Sequence, residues 1–148
     1  MTRAPLLRGL SHIRPDAWTA PFWDAASKHV LVCQVCAVCG SPRMPPAPFC
    51  WSCQSQEHEW RTLPGTGTVY AYTTITYSTV PEITADDLPY SVVLVDLDSA
   101  DGARLLGVLV ADAAATDGGS CATGDRVRVV WDDVEPGVTI PRFELEPP

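Results

Sequence analysis

The chain has 148 residues, with 10 Lys+Arg against 18 Asp+Glu and a formal charge of −8. That acidity weighs against nucleic acid, whose binders neutralise phosphates with Lys and Arg. With 46% hydrophobic and only 19% charged residues it is not a disordered acidic tail, and no run reaches the ~18 apolar residues of a membrane span.

The first dozen residues carry no clear period and read as a mobile tail without the apolar stretch of a secretory signal. A cytoplasmic location is expected, and in a reducing compartment six cysteines point to metal or redox chemistry. From Trp18 to Lys28 the spacing predicts a short helix. Pro21 suits its first turn, and Trp18, Phe22 and Ala25/Ala26 share one face with Trp23 beside it. So much aromatic area on three turns either packs on the chain itself or docks on a partner. His29 to Val32 reads as a strand leading into the cysteines.

Residues 33–53 hold five of the six cysteines. Cys36-x-x-Cys39 and Cys50-x-x-Cys53 are two knuckles that can each give two thiolates to one ion, a closed tetrahedral site and therefore a structural one. Zinc is preferred over iron. Gly40 follows the first knuckle, but Gln54 follows the second, which predicts a less regular turn there. The four prolines of residues 42–48 read as a stiff extended connector. Cys33 offers an alternative register with Cys36, but its simplest role is a small apolar residue on the incoming strand. Cys121 reads as a free loop thiol.

After Gly65-x-Gly67 the pattern turns to strands: Val69 to Tyr77, Tyr90 to Leu97, Arg104 to Val110, Arg126 to Trp131 and Gly137 to Leu145. A loop over Val80 to Pro89 and a small, Gly-rich stretch over Ala111 to Thr123 separate them. Asp101-Gly102 signals a hairpin turn. The expected fold is mainly β: an N-terminal tail and helix over 1–32, a rubredoxin-like ribbon over 33–62, and a five-stranded OB-type barrel over 63–148. Charge follows the same division, with six basic and four acidic side chains in 1–62 and four and fourteen in 63–148.

Other motifs carry less. His12, His29 and His58 are scattered and read as surface or packing residues, since four cysteines already satisfy a tetrahedral ion. Asp96-x-Asp98-x-x-Asp101-Gly102 lacks calcium-loop spacing and reads as a hairpin with solvated carboxylates. Gly65-x-Gly67 is no dinucleotide fingerprint; its glycines permit a sharply coiled first strand. No nucleophile–base order or phosphate loop emerges, so the chain reads as non-catalytic.

Taken in order, Pro21-Phe22-Trp23, Val32 to Gly40, Pro45-Pro46, Cys50-x-x-Cys53, Glu59-Trp60, Gly65 to Tyr70, Leu88-Pro89-Tyr90, Gly124 to Val127 and Phe143 resemble domain of unknown function family thirty-five, the zinc-ribbon/OB-fold proteins. The resemblance spans about residues 18–145. It departs at Cys33, where the family has an apolar residue, and at Gln54, where glycine is common. It implies an accessory subunit in a hetero-oligomer, two plus two being one arrangement. The partner implied is a thiolase-superfamily enzyme acting on acyl-CoA thioesters: a thiolase, an acyltransferase or a retro-aldolase of steroid side-chain degradation. Nine arginines against one lysine lean toward an actinobacterial steroid or lipid pathway.

The partner surface is expected on the slightly basic first 62 residues, anchored by Trp18, Phe22, Trp23 and Trp51; loop Thr79 to Pro89 touches either the partner or nothing. Arg43 and Arg61 are weaker candidates for CoA phosphates. Two other classes fit the same modules: a single-strand nucleic-acid binder, opposed by the charge of the barrel, and a rubredoxin-like electron carrier, which needs iron.

Overall fold

The computed structural model describes residues 13–110 and 120–147. The expected mobile tail over residues 1–12, His12 within it, and most of the Gly-rich stretch over 111–119 lie outside the described residues. The elements are α1 (Ala20–Ala26), β1 (Val32–Cys36), β2 (Pro42–Arg43), β3 (His58–Thr62), β4 (Thr66–Ile75), β5 (Tyr90–Leu97), β6 (Arg104–Val108), β7 (Arg126–Glu135) and β8 (Val138–Leu145).

The N-terminal helix is shorter than its periodicity suggests. Asp16 Oδ1 accepts from the backbone N–H groups of Trp18 and Thr19 and from the Thr19 hydroxyl, so the chain before Ala20 is a turn rather than a helix. Phe22 is buried in the core while Trp23 packs partly against it, the two rings edge to face at 5.1 Å. Trp18 meets His58 of β3 at 6.1 Å. The helix is thus largely covered by its own chain, between β8 and β1. This corrects the reading of Phe22 as a docking residue.

The ribbon is a three-stranded sheet in the order β2-β1-β3. The incoming strand lies later than His29–Val32: it runs through the first two cysteines, and all five of its residues are buried. The Pro-rich connector is not the extended segment its composition suggests: it bends at Met44-Pro45 and at Pro48-Phe49, and Pro42 and Arg43 add a short strand beside β1. β3, pairing along all of β1 from Val32–Thr62 to Cys36–His58, carries charged and polar residues with no apolar alternation, which hides it from a periodicity argument.

The second sheet has the order β6-β5-β4-β7-β8. It closes through a parallel bridge between Leu109 and Phe143, where the Val110 N–H donates to the Phe143 carbonyl at 2.6 Å. This is the five-stranded OB barrel. β5 alternates half-buried and buried residues along its whole length, the period-two pattern of a strand with one face in the core. Two glycines permit close approaches, Gly67 between the paired strands β4 and β5 and Gly107 beside the closing residue Phe143. A Cβ on Gly67 would lie 2.4 Å from the Asp96 carbonyl oxygen, and one on Gly107 would lie 2.8 Å from the ring of Phe143. β4 carries a bulge between Val69 and Ala71 that places Tyr70 outside, where the Arg104 guanidinium covers its ring at 3.5 Å.

One buried cluster runs from Phe22 through Leu31, Val32, Cys33 and Leu63 to Val93, Val127 and Phe143, so helix, ribbon and barrel share a core. Cys121 belongs to it: the thiol is free, as expected, but packed inside rather than exposed on a loop. His29 adds a surface link between the halves. With φ at 58° it stacks on Trp131 of β7 (5.8 Å, 3° between planes) and its Nε2 meets Asp133 at 3.0 Å.

The aspartates of the β5–β6 turn are ion-paired rather than merely solvated: Asp96 with Arg104, Asp98 with Arg126, and Asp101 with Arg61. Asp98 joins three strands, because Thr66 of β4 donates its hydroxyl to it at 2.6 Å while Arg126 comes from β7. The Arg126 guanidinium first, then the Thr66 hydroxyl, hold its carboxyl down to about 2. A depressed folded-state value means stability present above the ordinary value of 3.8 and lost as pH falls through 2. The thermal midpoint is therefore expected to drop between pH 4 and pH 2, and Asp98→Asn is expected to flatten that drop while lowering the midpoint at neutral pH. Gly107→Ala is expected to cost about 1–3 kcal/mol in chemical denaturation, because fully buried Phe143 has nowhere to retreat.

Candidate metal centre

The two knuckles are built alike. In the first, the Gly40 N–H donates to the Cys36 carbonyl (2.9 Å) and the Cys36 N–H to the Ser41 carbonyl (2.9 Å). In the second, the Gln54 N–H donates to Cys50 (3.0 Å) and the Cys50 N–H to Ser55 (2.9 Å). The residue after each knuckle lies in the left-handed region, Gly40 at φ 77° and Gln54 at φ 64°. The missing glycine therefore does not make the second turn irregular. Gln54 adopts the glycine conformation, at the steric cost a Cβ carries there.

The turns bring four sulfurs together. Sγ atoms of Cys36, Cys39, Cys50 and Cys53 all lie within 4.8 Å of one another, with Cys36–Cys53 at 3.6 Å and Cys39–Cys50 at 3.5 Å. A tetrahedron with metal–sulfur bonds of about 2.3 Å has sulfur–sulfur edges of about 3.8 Å. The donor set and its spacing fit a divalent ion held by four thiolates. Cys36 and Cys50 are buried, whereas Cys39 and Cys53 are exposed.

The backbone prepares the thiolates. The Cys39 N–H, opposed by desolvation and helped by the Val38 N–H, holds the Cys36 thiol down to about 6. The Cys53 N–H is the largest influence lowering Cys50. At Cys53 the Ser55 N–H pulls downward, but desolvation and the three neighbouring sulfurs outweigh it and push the thiol up to about 11. Without a cation the Cys53 proton is favoured, because the neighbouring sulfurs offer no positive charge to offset a thiolate there. A metal ion supplies that charge and expels the proton, so metal retention weakens as pH falls.

Cys33 stands apart from this group. It is fully buried on β1, its thiol donates to the Gln34 carbonyl at 3.3 Å, and burial pushes it up. Cys121 is likewise raised by burial. His29 and His58 lie outside the sulfur cluster. Of the two arginines singled out from sequence, Arg61 is half-buried with its guanidinium on exposed Asp101 (2.8 Å). Arg43 is not a surface residue. It is 2% exposed and its guanidinium is spent on main-chain carbonyls around the second knuckle, which removes it from the phosphate-binding reading. Its place between two knuckles on a buried strand was legible only once β2 was known. Trp51 is 71% exposed, and its indole N–H donates to the Pro42 carbonyl at 3.0 Å.

Cys50→Ser or Cys36→Ser is expected to lose the bound metal and the ribbon's resistance to proteolysis, while Cys33→Ser keeps one metal per chain, as read by elemental analysis of the purified protein. Gln54→Gly is expected to stabilise the loaded protein by about 1 kcal/mol, through relief of the left-handed backbone. An unchanged or lower midpoint would show that the Gln54 side chain compensates.

Comparison with known proteins fits this architecture. Residues 23–59 match the model of the ChsH2 rubredoxin-like zinc ribbon domain, and residues 60–132 that of the ChsH2 C-terminal OB-fold domain. A solved chain from the Ltp2–ChsH2(DUF35) aldolase is 33% identical, with a TM-score of 0.73 over 89% of this chain and 98% of that one. A DUF35 protein of unknown function from Sulfolobus solfataricus shares the fold at 16% identity and a TM-score of 0.61, over 88% of this chain and 86% of that one. A probable enoyl-CoA hydratase alpha subunit of Thermomonospora curvata is 37% identical over 123 residues, 82% of this chain but only 36% of that protein's length. Through both of its modules and the order in which they follow each other, the chain belongs to the ChsH2 zinc-ribbon/OB-fold (DUF35) family.

Proposed function

We propose that this chain is a non-catalytic accessory subunit of a thiolase-superfamily enzyme that makes or breaks carbon–carbon bonds in acyl-CoA thioesters, and that its four cysteines hold one structural zinc ion. The observation that carries this reading is the likeness over almost the entire length of a chain from an aldolase complex, Ltp2–ChsH2. The zinc ribbon domain that the chain matches and the enoyl-CoA hydratase subunit it is similar to support the zinc and the acyl-CoA. In this reading the partner carries the nucleophile and base, and this chain supplies stability and shapes substrate access. A steroid side chain is the substrate class to try first.

The aromatic residues that the fold leaves uncovered support a docking surface on the ribbon. Phe22 is excluded by burial, and Trp18 and Trp23 are half-buried. Trp51 is exposed, as are Phe49 beside it and Val38 in the first knuckle. Met44, Phe49 and Trp51 also line an open groove of about 500 Å³ against Ala103 and Arg104 of the barrel. Exposed aromatics held on a cross-linked scaffold are suited to anchoring, since little side-chain entropy is lost on binding. Arg61 could exchange Asp101 for a CoA phosphate at the rim of this surface.

Co-expression with the thiolase-like enzyme encoded nearest to this chain is expected to yield a hetero-oligomer whose mass gives the stoichiometry and whose activity exceeds that of the enzyme alone. Trp51→Ala combined with Phe49→Ala is expected to weaken association by at least tenfold with the zinc retained. Undiminished co-purification of that variant would rule out the ribbon tip as the anchor, and failure of every thiolase-like candidate to bind would rule out the functional reading. An Arg61→Ala complex with unchanged acyl-CoA affinity would remove Arg61 from the site.

A further inference from the structure

Arg43 is the largest departure from what a surface arginine does. It is 2% exposed, and the ion pairs among the described residues do not include it. Its Nη2 donates to the carbonyls of Ser55 (2.7 Å) and Glu57 (3.0 Å), and its Nη1 to that of Ala47 (3.3 Å), with longer contacts to Pro48 and Gln56 at 3.5 Å. Its Nε has no partner, and neither has Nε2 of Gln34, the residue paired with Arg43 across β1 and β2. A guanidinium does not lose its proton in a protein, so this charge is buried in full. Carbonyl dipoles solvate it but do not neutralise it, and an isolated buried charge is among the costliest features a fold can carry.

The compensating charge lies next door. The Ser55 carbonyl that accepts from Arg43 Nη2 also accepts from the Cys50 N–H at 2.9 Å, and the Glu57 carbonyl that accepts from it also accepts from the Ala37 N–H at 3.1 Å, so the guanidinium is tied to the backbone of both knuckles. Four thiolates around one divalent cation leave a net charge of about −2. We infer that Arg43 is the internal counter-charge of the four-thiolate centre and that it also positions the second knuckle. Its carbonyl contacts fix residues 47–48 and 55–57, the segments entering and leaving Cys50 and Cys53, while its charge offsets the excess negative charge of the loaded site. Outer-shell groups of this kind set metal affinity as much as the ligands do. The inference rests on the reading that the cluster holds a divalent metal, and the experiment below separates the two.

Zinc affinity is measured at neutral pH by chelator competition for the wild type, Arg43→Lys and Arg43→Gln. Loss of the charge is expected to weaken binding by about tenfold or more in Arg43→Gln. Lysine, which keeps the charge but not the planar fork, is expected to restore most of that loss. Equal weakening in Lys and Gln would show that only the fork and its packing matter and would overturn the counter-charge role, as would an unchanged affinity in Arg43→Gln. A second measurement needs no variant to fold. Cobalt-loaded wild type is expected to show a thiolate-to-metal charge-transfer band of more than two sulfurs; a two-sulfur band means a neutral centre with nothing for Arg43 to balance, and overturns the proposal. A wild type that binds neither zinc nor cobalt refutes the metal reading itself, and the proposal with it.

Discussion

Four sulfur atoms packed at about van der Waals distance cannot all be thiolates unless something positive sits among them. Much of the ribbon's architecture depends on that constraint. Its sheet has only three strands, one of them two residues long, and a piece this small does not bury enough apolar area to stand by itself. A cation converts the repulsion among the sulfurs into a cross-link between two loops that are otherwise joined by a Pro-rich connector. β1 then runs from this cross-link straight into the shared core, through Val32 and Cys33, and so carries the order of the ribbon into the barrel.

The barrel solves a different problem, closure of a short sheet onto itself. Gly67 and Gly107 mark the two places where backbone or ring comes too close for a side chain, and Phe143 fills the space that Gly107 leaves. Outside, the acidic residues of the β5–β6 turn are tied to arginines drawn from β3, β6 and β7. The excess of carboxylates in this half is thus partly used in holding neighbouring strands together, although exposed pairs of this kind individually contribute little.

Much of this was legible in the sequence, for physical reasons that differ by segment. The knuckles were readable because tetrahedral thiolate chemistry fixes both residue type and spacing. β5 was readable from Tyr90 to Leu97 because one face is in the core and the other is not. Strand β3 was hidden because its pairing is made by the backbone, with side chains that show no apolar alternation. The burial of Phe22 was hidden because the covering surface comes from β8, more than a hundred residues away. Arg43 was misread because sequence shows a charge but not the carbonyls that converge on it. Gln54 shows that a preferred residue is not an obligatory one: the hydrogen bonds of the second knuckle hold a non-glycine residue where glycine is the easy choice.

That asymmetry between two otherwise matching turns bears on the chain without its metal. The first knuckle reaches its bound conformation through a glycine, for which the left-handed backbone carries no steric penalty. The second does so with Gln54 held against its preference, while each knuckle exposes one ligand, Cys39 in the first and Cys53 in the second. What separates the two turns is thus the backbone alone. In a chain without metal the first knuckle keeps its shape at no steric cost, and the second is the one expected to relax.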